Sequence, residues 1–278
     1  MFSLVNGQQS ESIPLADRGF QYGDGCFETV RICKRKPVLL PEHLKRLRDT
    51  CLKLGLDFEL SALLLDIDQA LSSIESADSV LKITITRGGS KRGYKPQNPT
   101  DCTRVVQLFN YDSKPANDNG TGVSVFLCQQ RISSNPDLAG LKHLNRLDQV
   151  LASNEIPQGY AEGLCADQDA YIIEGCKSNL IAVIQGELLT PDLTSSGVNG
   201  VMLQHLKQKF AADGQQVKPK KLRLEDLLLS EELFLCNSVF GVWPVIKLSE
   251  NGTVHSWSVG SKTQQAIQTT HEIFSTSG

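Results

Sequence analysis

The order of helix and strand candidates predicts a protein of the mixed α/β (α+β) class that folds into two domains. Residues 81–86 alternate between apolar and polar side chains, which is typical of a strand with one buried face. Residues 41–55 carry apolar side chains at helical spacing between a proline and a glycine. Residues 111–121 have the polar, Asp-, Asn-, Pro- and Gly-rich composition of a linker. We therefore expect an N-terminal α/β domain at 1–112, a linker at 113–121 and a C-terminal α/β domain at 122–278.

The other elements follow from the same periodicities and from turn residues. A helix is expected to begin near Asn145, with Asp148 placed as its capping partner. Its apolar face would consist of Leu144, Leu147, Val150 and Leu151. The remaining strands are expected at 2–5, 27–32, 104–110, 123–128, 169–175, 180–184, 187–189 and 233–238, and the remaining helices at 60–74, from about 200 to 210 and at 262–274.

Composition excludes several classes of partner. The chain is 40% hydrophobic and 21% charged with a net charge of −3, which gives no electrostatic reason to expect binding to nucleic acid or to an anionic membrane. No apolar run is long enough to span a bilayer. The first residues lack both a basic start and a long apolar stretch, so we expect no secretory signal.

The eight cysteines are scattered and form no Cys-x-x-Cys pair, which predicts reduced thiols in a cytoplasmic protein. None of the five histidines is paired at the spacing of helical zinc ligands, so no metal site is expected. Gly-x-Ser-x-Gly and Gly-x-Gly-x-x-Gly motifs are also absent. Metal hydrolases, serine hydrolases and Rossmann dehydrogenases are therefore disfavoured.

A cationic segment precedes the predicted helix near Asn145. Lys142, His143 and Arg146 lie at the start of that helix, where positive charge opposes the helix dipole at a cost of about 0.3–1 kcal/mol each. A lone lysine is usually solvated, but a chain that breaks a local rule usually does so for function. Lys142 is therefore the first candidate for a functional residue.

Three motifs carry a family resemblance. They are Leu-Lys-His-Leu-Asn-Arg-Leu at 141–147, Asp-Arg-Gly-x-x-Tyr-Gly-Asp-Gly-x-Phe-Glu at 17–28 and Glu-x-x-x-x-Asn-Leu at 174–180. Together they resemble the aminodeoxychorismate lyases, which belong to the class IV aminotransferase-like (fold-type IV) family of pyridoxal-phosphate enzymes. The resemblance extends from Asn6 to about Pro244. It implies two α/β domains with the cofactor between them, and an active site built at the interface of a homodimer.

The resemblance also assigns residues to pyridoxal 5'-phosphate. Lys142 would hold the cofactor covalently, and Glu174 would contact the pyridine nitrogen, although a carboxylate at a strand end can equally lie in water. Arg46, which fits a His-x-x-Arg-Leu pattern, would bind the phosphate instead of remaining a solvated arginine. The remaining phosphate contacts would come from the backbone of Val198 and Asn199, at a predicted helix start, and from Asn237 and Ser238. Relatives commonly carry arginine where this chain has Leu203, which weakens any assignment of charge at that position.

Substrate contacts are assigned in the same way. Lyases of this family carry a Gly-Arg-Gly-Tyr segment near the substrate, which makes Arg92 a candidate for binding a carboxylate; the alternative is an exposed loop cation. Phe27 and Arg31, on the strand after the first signature, are also placed on the substrate side. Which of Arg31, Arg92 and Arg131 meets which carboxylate stays open.

The implied reaction converts 4-amino-4-deoxychorismate to p-aminobenzoate and pyruvate, a step of folate biosynthesis. A D-amino-acid or branched-chain aminotransferase of the same family is the alternative, since it would share Lys142 and Glu174 but needs a keto-acid acceptor. A non-catalytic cofactor-binding or regulatory protein is the third reading. The pair Lys142 and Glu174 argues against it, because a protein without chemistry needs no electron sink.

Overall fold

The computed structural model describes residues 2–90, 92–96, 101–111, 121–250 and 252–276. The predicted linker therefore lies outside the described residues except for Thr121. Contacts divide the chain into two compact units. The first comprises Met1–Asp112, Lys142–Asn145 and Phe274–Gly278, and the second comprises Ser113–Leu141 and Arg146–Ile273.

Lys142 belongs to the first unit, whereas the sequence analysis assigned it to the C-terminal domain. The reason lies in the backbone. The Phe27 amide donates to the Lys142 carbonyl at 3.0 Å, and the Leu144 amide donates to the Gly25 carbonyl at 2.9 Å. This short segment is therefore held against a strand of the first unit. The predicted domain limits themselves stay a prediction.

The first unit contains a six-stranded antiparallel sheet and three helices. Its strands are β1 (Phe2–Val5), β2 (Gln8–Gln9), β3 (Gly25–Cys33), β4 (Lys36–Pro37), β5 (Ser79–Thr86) and β6 (Thr103–Asn110), and its helices are α1 (Arg18–Tyr22), α2 (Leu40–Leu54) and α3 (Leu60–Ser72). The strand order is β2-β1-β6-β5-β3-β4. Asn6 and Gly7 join β1 to β2 with φ angles of 49° and 80°, the left-handed backbone that a two-residue hairpin turn requires.

Helix α2 illustrates how the sequence builds this unit. Pro41 lies at its first turn, and Gly55 ends it with a φ of 65°. Leu47 and Cys51 bury the apolar face of α2 in one cluster with Leu63 of α3 and Ile83 of β5. Full burial of a leucine contributes about 1.5–3 kcal/mol, so this face fixes α2 on the sheet.

The second unit contains a nine-stranded mixed sheet and the remaining helices. Its strands are β7 (Val123–Ile132), β8 (Glu162–Asp167), β9 (Ile172–Gly175), β10 (Asn179–Ile184), β11 (Glu187–Pro191), β12 (Val217–Lys220), β13 (Glu232–Asn237), β14 (Gly241–Glu250) and β15 (Thr253–Ser256), and its helices are α4 (Leu147–Asn154), α5 (Val201–Ala212), α6 (Leu224–Leu228) and most of α7 (Ser261–Thr276). The order is β12-β11-β10-β13-β14-β7-β8-β9, with β15 paired to β14. No helix among the described residues is both long and apolar enough to cross a membrane.

Helix α4 differs from its prediction. It begins at Leu147 after Arg146, and no side chain caps it. Asp148 instead accepts a hydrogen bond from the Ser133 amide at 2.8 Å. The expected apolar face is largely exposed, with Leu147 at 68%, Val150 at 52% and Leu151 at 44%, and α4 buries Gln149 and Ala152 instead. Helical spacing identified the helix, but it did not identify the face that this chain buries.

Candidate active site

Lys142 lies beside the aromatic ring of Phe27. Its amine is 4.3 Å from the centroid of that ring. The two residues are also joined by the backbone hydrogen bond from the Phe27 amide to the Lys142 carbonyl. A second amine, that of Lys82 on β5, lies 5.7 Å from the same centroid. The structure thus brings together Lys142 and Phe27, two of the residues named from the sequence, and adds Lys82 as a neighbour.

Glu28 organises the next group of residues. Successive side chains of a strand point to opposite faces, so Glu28 leaves β3 on the face opposite to Phe27. Its carboxylate accepts from Arg46 Nε at 2.7 Å and from Arg46 Nη2 at 2.5 Å, a bidentate pair. It also contacts His43 Nδ1 at 2.6 Å. The guanidinium predicted to bind phosphate is therefore fixed in orientation by Glu28.

Burial by itself raises the pKa of Glu28, but the charge of Arg46 and the hydrogen bonds from His43 and Arg46 outweigh it and bring that pKa down to about 2. Burial lowers the pKa of His43, and the charges of Arg46 and Lys142 act in the same direction, against the effect of Glu28. His43 is therefore neutral near pH 7, and we assign its proton to Nδ1, which donates to Glu28. The sequence analysis gave no role to His43 or Glu28, although the His-x-x-Arg spacing contained the signal.

Glu174 lies at the end of β9 and is 4% exposed. Its carboxylate accepts from the Val198 amide at 2.8 Å and from Gln149 Nε2 at 3.3 Å. The Val198 carbonyl in turn accepts from Asn179 Nδ2 at 2.8 Å. Glu174 is therefore a buried, hydrogen-bonded carboxylate, and the alternative of a strand-end carboxylate in water does not apply. Gln149 and Asn179 are contributors that the sequence analysis missed.

The predicted phosphate site begins just before α5. The Val198 amide donates to Glu174, and the Asn199 amide donates to the Gly140 carbonyl at 3.0 Å. Because an amide has a single proton, donation from these two groups to phosphate would require both bonds to break. The first turn of α5, at Val201 and Met202, has no side-chain cap, and amides at a helix start have no intrahelical acceptor. Leu203 is fully buried in the core.

Asn237 and Ser238 follow β13. The Asn237 side chain donates to the Lys177 carbonyl at 3.0 Å and accepts from the amides of Val239 and Phe240 at 2.9 Å each. Asn237 therefore shapes the turn between β13 and β14. Phosphate contacts by Asn237 and Ser238 stay a prediction.

The candidate substrate arginines have different surroundings. Arg92 is exposed, on the loop that follows β5. Arg31 is buried, 3.6 Å from the Asp78 carboxylate and 3.3 Å from the centroid of the Tyr111 ring. Its guanidinium already has protein partners, whereas Arg92 is placed to meet a solute. Arg131 lies on β7.

The loop that carries Arg92 is anchored by the first signature. Arg18 is 3% exposed, and its guanidinium donates to Asp24 Oδ2 at 2.8 Å, to the Gly93 carbonyl at 2.9 Å and to the Tyr94 carbonyl at 2.6 Å. Asp17 accepts from the hydroxyl groups of two threonines, on β5 and β6. The Asp-Arg-Gly motif therefore anchors the basic loop through the hydrogen bonds of Arg18 to Gly93 and Tyr94.

The chemistry of these groups suits pyridoxal 5'-phosphate. An aldehyde needs an amine, which Lys142 offers; a protonated pyridine nitrogen needs a carboxylate, which Glu174 offers. A phosphate is commonly bound by a fixed cation, which Arg46 offers in the first unit, or by open amides, which the start of α5 offers in the second unit. The residues present fit the cofactor.

Comparison with known proteins identifies similar chains. A family model described as Amino-transferase class IV matches residues 25–248. Aminodeoxychorismate lyase of Vibrio harveyi is 32% identical over 94% of this chain and 96% of its own length, and D-alanine aminotransferase of Bacillus licheniformis is 26% identical over 96% and 94%. The crystal structure of 4-amino-4-deoxychorismate lyase from Pseudomonas aeruginosa superimposes with a TM-score of 0.90 at 37% identity, covering 96% of this chain and 97% of that one.

Proposed function

The chain belongs to the class IV aminotransferase family, and from that premise we propose that it is a pyridoxal-phosphate-dependent carbon–oxygen lyase. Its substrate is 4-amino-4-deoxychorismate, and its products are p-aminobenzoate and pyruvate, as in folate biosynthesis. The observation that carries this proposal is the similarity, over nearly the whole of both chains, to lyases of known name from two bacteria. Similarity to aminotransferases is lower in identity.

The cofactor is held by groups of different chemistry. Lys142 binds it covalently, and Phe27 covers one side of that amine. Glu174 holds a proton at the pyridine nitrogen, and the Val198 amide and Gln149 fix its carboxylate in place. Arg46, oriented by Glu28, binds the phosphate together with the amides at the start of α5 and the turn at Asn237 and Ser238. Val198 contributes through Glu174, and Asn199 through the backbone bond that shapes the turn.

Bound pyridoxal phosphate supplies an electron sink for the charge that develops at the amine-bearing carbon of the substrate. Lys142 would hold the cofactor, and its amine, when free, would take the proton from that carbon. Expulsion of the enolpyruvyl oxygen then leaves an aromatic ring, which makes the step strongly favourable. Arg92 binds a substrate carboxylate, because a guanidinium matches carboxylate geometry. Phe27 is the apolar neighbour of the reacting atoms, and a substrate contact by Arg31, on the same strand, stays a prediction.

We also propose that the enzyme is a cytoplasmic homodimer. All eight cysteines are free thiols, which suits a reducing compartment. Helix α4 exposes Leu147, Val150 and Leu151 on the single chain, and a contiguous apolar face is typical of a protein interface. A second copy of the chain is the occupant expected from the family resemblance.

A product assay separates the lyase from the aminotransferase alternative. Purified enzyme is supplied with 4-amino-4-deoxychorismate and no keto acid, and pyruvate and p-aminobenzoate are measured. We expect both products in equal amounts, and loss of turnover by at least about 1,000-fold in Lys142→Ala, because no other group in the mechanism can move the proton. Lys82→Ala, which removes the other amine beside Phe27, is the matched control and should keep most of the activity.

Turnover only with pairs of amino acid and keto acid would instead identify an aminotransferase. Near-normal activity of Lys142→Ala would contradict the assigned role of the lysine in either enzyme.

A further inference from the structure

Three cysteines that play no part in the proposed reaction meet in the second unit. Cys128 lies on β7, Cys165 lies on β8, and Cys176 directly follows β9. Because β7, β8 and β9 are neighbours in the sheet, residues up to 48 positions apart in the chain, as 176 − 128 gives, come to one place. Their three sulfur atoms all lie within 4.8 Å of one another, and the Sγ atoms of Cys165 and Cys176 are 3.7 Å apart.

These spacings match those of a metal–thiolate site. With metal–sulfur bonds of about 2.3 Å, tetrahedral ligands are about 3.8 Å apart and trigonal ligands about 4.0 Å apart. A disulfide between Cys165 and Cys176 fits less well. The Cys176 amide donates to the Gly163 carbonyl at 2.9 Å, so Cys165 is diagonal to Cys176 across the two strands. Diagonal pairs have Cα atoms about 7–8 Å apart, beyond the usual 4.4–6.8 Å of a disulfide.

A glycine makes room for the three sulfurs. A Cβ atom on Gly163 would lie 2.5 Å from the Cys128 Sγ and 3.1 Å from the Cys176 Sγ. The φ angle of Gly163 is one that other residues also adopt, so the backbone does not require a glycine here. The missing side chain instead leaves space beside the thiols. Cys128 and Cys165 are 2% and 0% exposed, while Cys176 is only partly buried and leaves a route for an ion.

We propose that Cys128, Cys165 and Cys176 form a binding site for a soft divalent cation of the Zn²⁺ class. Three thiolates are the ligands that such ions prefer, and a water molecule at the partly exposed side completes four-coordination. Binding releases the thiol protons to solvent, with no change of oxidation state. No metal site was expected from the sequence, which has no Cys-x-x-Cys pair and no histidines at zinc-ligand spacing, whereas these three cysteines are far apart in the chain and meet only in the folded sheet.

The site would stiffen the part of the sheet that carries Glu174. Cys165 is the cross-strand partner of Glu174, and Cys176 follows Glu174 by two residues. An ion bound to both cysteines would tie β8 to the end of β9. Metal binding itself does not depend on the proposed reaction, so the two proposals can fail separately.

Cobalt titration of the full-length holoenzyme tests the proposal. Reduced, chelator-treated protein is titrated with Co²⁺ under argon, and Zn²⁺ is then added in competition with a chromophoric chelator. We expect one equivalent of Co²⁺ to produce thiolate-to-cobalt charge-transfer absorption that Zn²⁺ displaces. X-ray absorption of the Zn²⁺ form should show three sulfur ligands.

Two variants and one control locate the ion. Cys176→Ala should weaken Zn²⁺ binding by more than the roughly 10–100-fold that loss of an outer-shell partner costs, and Gly163→Ala should weaken it by filling the space beside the sulfurs. Cys51→Ala is the matched control, since Cys51 is one of a buried pair of thiols 3.4 Å apart in the first unit, and it should bind as the unaltered chain does. Absence of the charge-transfer absorption in the unaltered chain would overturn the proposal. So would unchanged affinity in Cys176→Ala, or an equal loss in Cys51→Ala.

Discussion

At the scale of single residues, Glu28 holds Arg46 in an orientation that suits the phosphate contact proposed for it. The Arg46 guanidinium is mostly buried and donates two hydrogen bonds to the Glu28 carboxylate. An arginine fixed in this way needs little reordering when an anion binds, which favours a strong and directional contact. The same contacts lower the pKa of Glu28 and keep its carboxylate charged in the interior. The pair of Glu28 and Arg46 should therefore contribute to the stability of the fold as well as to the proposed phosphate binding.

We expect Glu28 to make stability depend on acid pH. Its pKa is about 2 in the folded chain against 4.5 for an unperturbed glutamate, so its contribution is complete above pH 4.5 and is lost as the pH falls from 4.5 to 2. Glu28→Gln leaves the buried guanidinium of Arg46 without its counter-charge and should cost about 3–5 kcal/mol at pH 7.

Urea unfolding at pH 6 and at pH 3.5 measures this effect. The difference in stability between the unaltered chain and Glu28→Gln should shrink at the lower pH. Glu75→Gln, which removes an exposed carboxylate, should show a negligible difference at both. A difference that stays constant with pH would show that Glu28 is not the linked group.

The sequence named most of the residues that the proposed chemistry needs, but not the residues that hold them. Lys142, Glu174 and Arg46 belong to contiguous motifs, which a single sequence displays. Gln149 lies outside these motifs, and His43 and Asn179 lie within them, but the contacts that all three make form only on folding. Asp17 and Arg18 belong to a recognised signature, but the hydrogen bonds of Arg18 are made to a loop more than 70 positions away in the sequence.

At the scale of elements, the basic loop after β5 is anchored by hydrogen bonds at Gly93 and Tyr94. The buried Arg18 holds the carbonyl groups of Gly93 and Tyr94, so the adjacent Arg92 leaves the loop from a fixed backbone. Lys95 lies on the same loop, is also exposed, and follows Tyr94 directly, just as Arg92 directly precedes Gly93. The two cations therefore flank the same anchored pair and differ in their position on the loop.

Arg92→Ala is expected to raise the KM for 4-amino-4-deoxychorismate by about 10–100-fold, the worth of a hydrogen bond to a charged group. The kcat and the absorbance of bound cofactor should change little, because the variant touches neither Lys142 nor the phosphate contacts. Steady-state kinetics of Arg92→Ala beside Lys95→Ala measure this. An unchanged KM in Arg92→Ala, or an equal rise in Lys95→Ala, would remove Arg92 from the substrate site.

Element positions were predictable to different degrees for physical reasons. Helix α2 and the hairpin of β10 and β11 have local signals at both ends, and the structure forms them where expected. Strands β8 and β12 were missed because they are short and show no alternation. For α4 the helix was identified, but which face becomes buried is decided by the rest of the fold, and its apolar face stays outward.

At the scale of the whole molecule, the expected fold class is confirmed by the match to class IV chains and by the TM-score of 0.90. Each unit has its own sheet and its own buried cluster of apolar residues. The outward face of α4 groups three exposed apolar side chains that a single chain does not explain, since exposed apolar surface is costly in water.

We expect a dimer in solution that depends on this face. Light scattering after gel filtration should give twice the chain mass of 30.5 kDa for the unaltered protein. Leu147→Glu combined with Val150→Glu places two charges on the face and should raise the dimer Kd by at least about 100-fold, because buried unpaired charge is strongly unfavourable. Leu52→Glu alters an even more exposed leucine on α2 and serves as the control. A monomeric unaltered chain would contradict the dimer, and an intact dimer in the double variant would exclude α4 from its interface.

Borohydride reduction followed by peptide mapping tests the assignment of Lys142 most directly. Reduction of the yellow holoenzyme fixes the cofactor to the amine that carries it, and mass spectrometry of the digest then locates the modified lysine. We predict that the modification lies on Lys142 alone, and that Lys82→Ala leaves it there. A cofactor fixed on Lys82 or Lys177, or a chain that retains none, would contradict the proposed mechanism.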